Sequence, residues 1–241
     1  MMKTKFLITA LCCACSFNTM KSQTLQVIYE TQPKMQIQAD GLLDKNMIEQ
    51  IRKNSTVQNM LCYNNGESVF KPIKNENKSS EGSINIEIKT PEDVTYKNHN
   101  TNKETSYKDF FGKGFLIESE LKAGKWEITD SVKEIQGYTC TKAISKDQEK
   151  EAAAWFCPNL PIKDGPFYTG LDGLVLEFTS GNVNIVAQEI LIDAGCEITV
   201  PAKGKKISKD EFDKMVEKRM KAMEQEQNSG DGGGIVIKIV K

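Results

Sequence analysis

Apolar and polar residues alternate in one short segment after another along this chain, and turn residues stand between the segments. Leu25, Val27 and Tyr29 share one side of Thr24–Glu30, and Phe115, Ile117, Ser119 and Leu121 share one side of Gly114–Lys122. Side chains of an extended strand point to opposite faces with period two, so each segment buries one face and needs partners to do it. Val57–Tyr63, Glu67–Phe70, Ser83–Lys89, Trp126–Ile135, Tyr138–Ser145, Glu151–Cys157, Leu174–Phe178, Val183–Ile192 and Ile235–Val240 have the same character. Asn64-Asn65-Gly66 and Gln136-Gly137 are hairpin turns, because Asn and Gly tolerate positive φ. Regularly spaced strands with tight turns predict a mainly β (α+β) fold, an antiparallel sheet or open half-barrel. Lys74–Ser80 is too polar for this pattern and is expected to be a loop, and residues 97–108, rich in Asn, Lys and Thr, a loop or ragged edge.

Two segments switch to helical spacing. Asp44–Lys53 places Met47, Ile48 and Ile51 on one face, with Asp44 as N-cap. Ser208–Gln227 carries an apolar stripe of Phe212, Met215, Val216, Met220 and Met223. Ser208 and Glu211 form a capping box at its start. This C-terminal helix is expected to pack on the sheet, and Asn228–Gly234 to let the chain return as a last strand.

The N-terminus reads as a secretory signal over residues 1–22. Lys3 and Lys5 precede an apolar run from Phe6 to Phe17, too short to span a bilayer. Cleavage after Ser22 leaves residues 23–241 as one expected domain, without a transmembrane segment. It removes three Lys and no acid, taking the net charge from -1 to about −4. That balance excludes the basic face nucleic acid requires. The expected location is the periplasm, the extracellular space or the outer-membrane surface.

Of seven Cys, four remain after cleavage: Cys62, Cys140, Cys157 and Cys196. Export makes disulfides plausible partners for them. Pairing Tyr138–Ser145 with Glu151–Cys157 as a hairpin sets Ala143 opposite Ala154 and, further along, Cys140 opposite Cys157. Directly opposed residues lie close to disulfide reach, so a Cys140–Cys157 bond is predicted. The pairing of Cys62 and Cys196 stays open. No two of the four have metal-site spacing, and no metal or cofactor is expected.

Residues 152–178 interrupt the strand pattern. Pro158, Pro161 and Pro166 lie within nine residues and cannot occupy an interior strand, so an ordered, extended crossover is expected. Asp164-Gly165-Pro166 and Asp172-Gly173 are turn signals. Trp155, Phe156, Phe167 and Tyr168 could line a binding groove beside it.

This segment resembles the signature of the GLPGLI family, exported proteins of Bacteroidetes-type bacteria with no established activity. The resemblance rests on Gly170-Leu171-Asp172-Gly173-Leu174-Val175, with Asp172 where the family has Pro, and on Trp155, Gly165 and Pro166 upstream. Trp126, Gln136-Gly137-Tyr138 and Cys140 extend it over most of the mature chain. The resemblance implies an envelope protein, associated with outer-membrane transport or surface proteins, and no reaction.

Catalytic patterns are weak. His99, the one His, sits in a polar stretch and is expected to be a solvated surface residue. Glu118 and Glu120 share a strand face that is expected to meet solvent. No nucleophile elbow, phosphate loop or zinc-protease helix is present. The expectation is therefore a non-enzymatic envelope protein that binds an apolar ligand or a partner protein. The alternative is a hydrolase of unrecognised type.

Overall fold

The structure is a computed structural model, and it describes residues 24–38, 43–73, 92–147, 151–167, 169–228 and 236–239. The signal segment, the loop expected at Lys74–Ser80 and the strand expected at Ser83–Lys89 lie outside these residues.

Most expected strands are present. They are β1 (Thr24–Pro33), β3 (Val57–Asn64), β4 (Glu67–Pro72), β7 (Lys113–Glu120), β8 (Trp126–Ile135), β9 (Tyr138–Ser145), β10 (Ala152–Cys157), β11 (Leu174–Ser180) and β12 (Val183–Ile192). Polarity concealed two more, β5 (Val94–Asn98) and β6 (Lys103–Phe110), where residues 97–108 had suggested a loop or ragged edge. These two strands have partners on both sides, which satisfy their backbone groups despite polar side chains. The short β13 (Lys205–Ile207) pairs parallel to β7. The segments β2 (Met35–Gln38) and β14 (Val236–Ile239) form a separate antiparallel pair.

One twelve-stranded sheet runs β13-β7-β6-β5-β4-β3-β1-β12-β11-β10-β9-β8. Its curvature follows from connectivity. Ten inter-strand steps separate β7 from β8, roughly 48 Å if the sheet were flat. Yet only residues 121–125 join their ends, a reach of about 21 Å at full extension. The sheet must curl to bring its two sides together, which gives an open, mostly antiparallel half-barrel.

The turns follow the residues that demand them. Asn65 and Gly66 have φ of 50° and 81°, and Gln136 and Gly137 have 50° and 77°. Both pairs close two-residue hairpins whose twist matches the strands. Helix α1 (Lys45–Asn54) is capped by Asp44, which accepts from the Met47 amide at 2.8 Å. At α2 (Lys209–Asn228), Glu211 accepts from the Ser208 amide and donates its own amide to Ser208 Oγ. Phe212 on α2 meets Phe110 and Phe115 edge-on at 5.9 and 5.7 Å, which seats the helix beside β7.

The core forms two clusters. One gathers Leu25, Val27, Tyr29, Leu61, Leu174, Leu176 and Ile185 with Leu160 and Ile162 of the crossover. The other holds Ala143, Ala154, Phe156 and Val175 with Leu171. Cys157 belongs to the first and Phe156 to the second, so β10 is buried on both faces.

The β9–β10 register is the expected one, with Ala154 opposite Ala143. The expected Cys140–Cys157 bond is nevertheless not made: both are free, buried thiols. The paired ladder ends at Phe156 and Thr141, one step short of the two cysteines, and the chain turns at Cys157, whose carbonyl accepts from Leu160 N at 3.2 Å. The disulfide present joins Cys62 on β3 to Cys196, with Cα atoms 6.0 Å apart. It ties the segment after β12 back to the sheet across 134 residues of sequence.

Candidate functional site

The crossover expected from its prolines runs from Cys157 to Leu174. It is held by backbone bonds, from Leu174 N to Leu160 O at 3.0 Å and from Val175 N to Asp164 O at 2.9 Å. Tyr29 on β1 donates to Val175 O at 2.7 Å, where the crossover has just become β11. Its other end docks on the β7–β8 connection, where Gly124 N and Trp126 Nε1 both donate to Thr169 O at 3.0 Å.

Two glycines are needed for close approach. A side chain at Gly173 would run into the Cys157 carbonyl, and one at Gly165 would meet Val175 Cβ at 2.7 Å. Leu171 and Val175 are buried, and Asp172 instead reaches outward to Lys163 at 2.5 Å. Pro166 is buried as well, whereas Gly170 turns the chain with φ 78°. The turn at Asp172-Gly173-Leu174 therefore serves packing.

A charged cluster lies where the crossover meets the β5 end. Lys97 and Asp164 are both fully buried and bonded to one another. Lys97 Nζ also donates to Gly165 O at 2.7 Å, and Gly165 N donates to Asp164 Oδ1 at 2.7 Å. His99 Nε2 lies 3.0 Å from Asp164 Oδ2, with 18% of its side chain exposed. His99 is thus tied into this cluster, a correction to its expected place as a freely solvated residue. Its ring lies 6.1 Å from that of Tyr63. Ser68, opposite Lys97 on β4, has a buried hydroxyl with no partner among the described residues.

Burial by itself would raise the Asp164 pKa, but the Lys97 ammonium and the His99 contact outweigh it and bring the carboxyl down to about 2. Burial and the nearby Asp164 charge push the Tyr29 phenol well above its ordinary range. Asp164 is therefore a permanent carboxylate whose acceptor sites are already engaged. It can orient His99 and neutralise Lys97, and it has no proton to exchange near neutral pH.

The four aromatic residues expected to line a groove do not share one. Trp155 and Phe156 are neighbours on a strand and point to opposite faces. Phe156 is core. Trp155 is half-buried, with Lys133 Nζ 4.3 Å and Lys142 Nζ 5.9 Å from its ring. Lys133 in turn pairs with Glu177 at 2.6 Å. Phe167 meets Phe178 with the rings tilted by 59° and 4.8 Å apart, and Tyr168 lies outside the described residues. A shallow hollow along α2 is lined by Lys214, Glu217, Lys218, Lys221, Ala222 and Gln225, none of them one of the four expected aromatics. Glu118 pairs with Lys206 at 3.3 Å on the surface. Among the described residues, no group of three or more acidic, His or Cys side chains could hold a metal ion.

Sequence reasoning missed Lys97 and Asp164 because each lay in a stretch assigned to a turn or loop. The available signal was an ordered crossover carrying an acid between prolines, since such an acid needs a buried partner.

A family model described as N-glycanase peptide, N-terminal domain, matches residues 48–216. Solved structures of PNGF-II in two crystal forms superpose with a TM-score of 0.53 each, at 16% and 17% identity. Each alignment covers 80% of this chain but only 33% and 32% of the other, so this chain spans about a third of the length of those structures. No curated protein matches the chain. The family match overturns the resemblance to the GLPGLI family. That resemblance rested on turn glycines, crossover prolines and strand aromatics, residues that this backbone needs whatever its ancestry. The expectation of a non-enzymatic ligand- or partner-binding envelope protein falls with it, and the hydrolase alternative fits the match better.

Proposed function

This chain belongs to the family of N-glycanase N-terminal domains, and we propose on that premise that it works in the hydrolysis of N-glycans from glycosylated peptides. The observation that carries the reading is the match over residues 48–216, which runs from α1 through the sheet and crossover into α2. The similar fold of PNGF-II supports it. The hydrolytic step is assigned to no residue here. Lys97, Asp164 and His99 position the crossover, and their polar atoms are engaged with one another and not aimed at an open cleft.

Export fits this reading. The Cys62–Cys196 disulfide suits an oxidising compartment, where a glycoprotein substrate would be met.

The test is glycan release. The purified chain is incubated with an N-glycosylated glycoprotein, alone and together with the catalytic remainder of an N-glycanase, and free glycans are counted by mass spectrometry. Release by the chain itself, or a several-fold faster release when it is added, is the expected result. Unchanged release in both arrangements would overturn the proposal.

A further inference from the structure

The hairpin tip between β6 and β7 carries an aromatic residue that the turn itself does not call for. Phe111 and Gly112 have φ of 51° and 73°, the same two-residue turn that Asn65-Gly66 and Gln136-Gly137 make elsewhere in the sheet. The first position of such a turn favours Asn, Asp or Gly, because a bulky side chain at positive φ crowds the backbone. Strain of this kind persists where the surroundings over-determine it, and it gathers at ligand contacts. Burial does not explain the ring, because Phe111 is 60% exposed. A single exposed apolar residue is ordinary. This one is also strained, and its neighbours fix its orientation. Phe110 meets it edge-on at 4.7 Å, with the ring planes at 88°. The Arg219 guanidinium of α2 lies 5.0 Å from its centre, an attraction between cation and π face. Phe110 is braced in turn by Phe212 at 5.9 Å.

We infer that Phe111 is a stacking platform for a sugar ring of the N-glycan, with Arg219 and Phe110 holding the ring in place. The choice of ligand rests on the glycan-hydrolysis reading above. One face of a pyranose presents C–H bonds that are apolar and slightly positive, and the face of an aromatic ring is negative. The hydroxyls project from the rim of the sugar, where charged side chains can bond them and fix its orientation. Lys113 and Arg219 are exposed at this rim. A ring already held in place loses little freedom on binding. A bilayer is a poorer fit. Phe110 and Phe115 turn to Phe212, so the tip offers one ring rather than an apolar patch. Asp109 closes the base of the same turn by accepting from Gly112 N at 2.9 Å, which sets a carboxylate beside the ring.

Binding and stability measured on the same variant test the platform. The purified chain is titrated calorimetrically with an N-glycosylated peptide and with the same peptide lacking its glycan. The glycopeptide should bind and the bare peptide should not. Phe111→Asn should weaken binding by about three- to tenfold, the size of one ring contact, and Phe111→Tyr should preserve it. Phe111→Asn should also melt no lower than wild type, because Asn-Gly is a preferred pair for this turn. Equal binding of the two peptides, no binding of either, or wild-type affinity in Phe111→Asn overturns the inference. A lower melting temperature for Phe111→Asn overturns it too, because the ring would then serve the fold. Vesicles of phosphatidylcholine and phosphatidylglycerol that sediment wild type but not Phe111→Asn would overturn it in favour of a membrane anchor. Glycan release separates the platform from the hydrolase reading. Release that Phe111→Asn supports as well as wild type, at substrate below saturation, removes the platform alone. Glycopeptide binding through Phe111 with no effect on release removes the hydrolase reading and leaves the platform standing.

Discussion

Replacing Asp164 by Ala tests what holds the crossover in the half-barrel. The carboxylate receives Lys97 Nζ, His99 Nε2 at 3.0 Å and the Gly165 amide at 2.7 Å. Truncation leaves the Lys97 ammonium with no exposure and, among the described residues, only the Gly165 carbonyl as partner. Removing one member of a buried ion pair costs about 3–5 kcal/mol, because the other charge stays uncompensated. A domain of this kind holds about 5–15 kcal/mol in total, so the loss should be plain in a urea titration at pH 7. The pair as a unit is worth much less than either half suggests. The double variant Asp164→Leu with Lys97→Met should recover most of the loss, since an apolar pair of similar volume replaces a desolvated charged one. An Asp164→Ala penalty below about 1 kcal/mol, or a double variant no more stable than the single one, would refute this account. The same carboxyl predicts acid sensitivity. Its folded pKa of about 2 lies below the ordinary value near 4, so the stabilisation is complete above pH ~4 and lost as pH falls through about 2. The depression corresponds to roughly 2 kcal/mol, and acid titrations of wild type and Asp164→Ala should converge over that window.

Reduction of Cys62–Cys196, or the double Ser variant, should lower stability by about 2–5 kcal/mol, because the bond closes a long loop; denaturant midpoints under matched conditions check this. Gly173→Ala should cost at least about 1–3 kcal/mol, since its Cβ meets the Cys157 carbonyl and not a movable side chain; a thermal melt indistinguishable from wild type would exclude that contact. Ser208→Ala should cost about 1 kcal/mol by uncapping α2, with the Glu211 amide losing its acceptor. Amide exchange should then accelerate in the first turn of α2 and not in β10.

Local chemistry was legible wherever the residue itself sets the backbone. Asn65-Gly66 and Gln136-Gly137 specify their turns, Ser208 and Glu211 start α2, and the prolines at 158, 161 and 166 keep their segment out of the ladder. Period-two alternation located most strands, and hairpin counting found the β9–β10 register. It failed at β5 and β6, where polar side chains are tolerated because neighbouring strands and Asp164 satisfy them. The family resemblance failed for a related reason: short motifs report local backbone needs, which unrelated chains share.

Sequence by itself thus determined the mainly β class, the helix starts, the turns and the crossover, all set within a few residues by φ preference, capping and alternation. Only the tertiary structure decided that the sheet curls, because that depends on strand order between distant segments. Only it brought Lys97 to Asp164 and Cys62 to Cys196, across 67 and 134 residues. These partners are chosen by where the curled sheet places them, and no local propensity encodes that position.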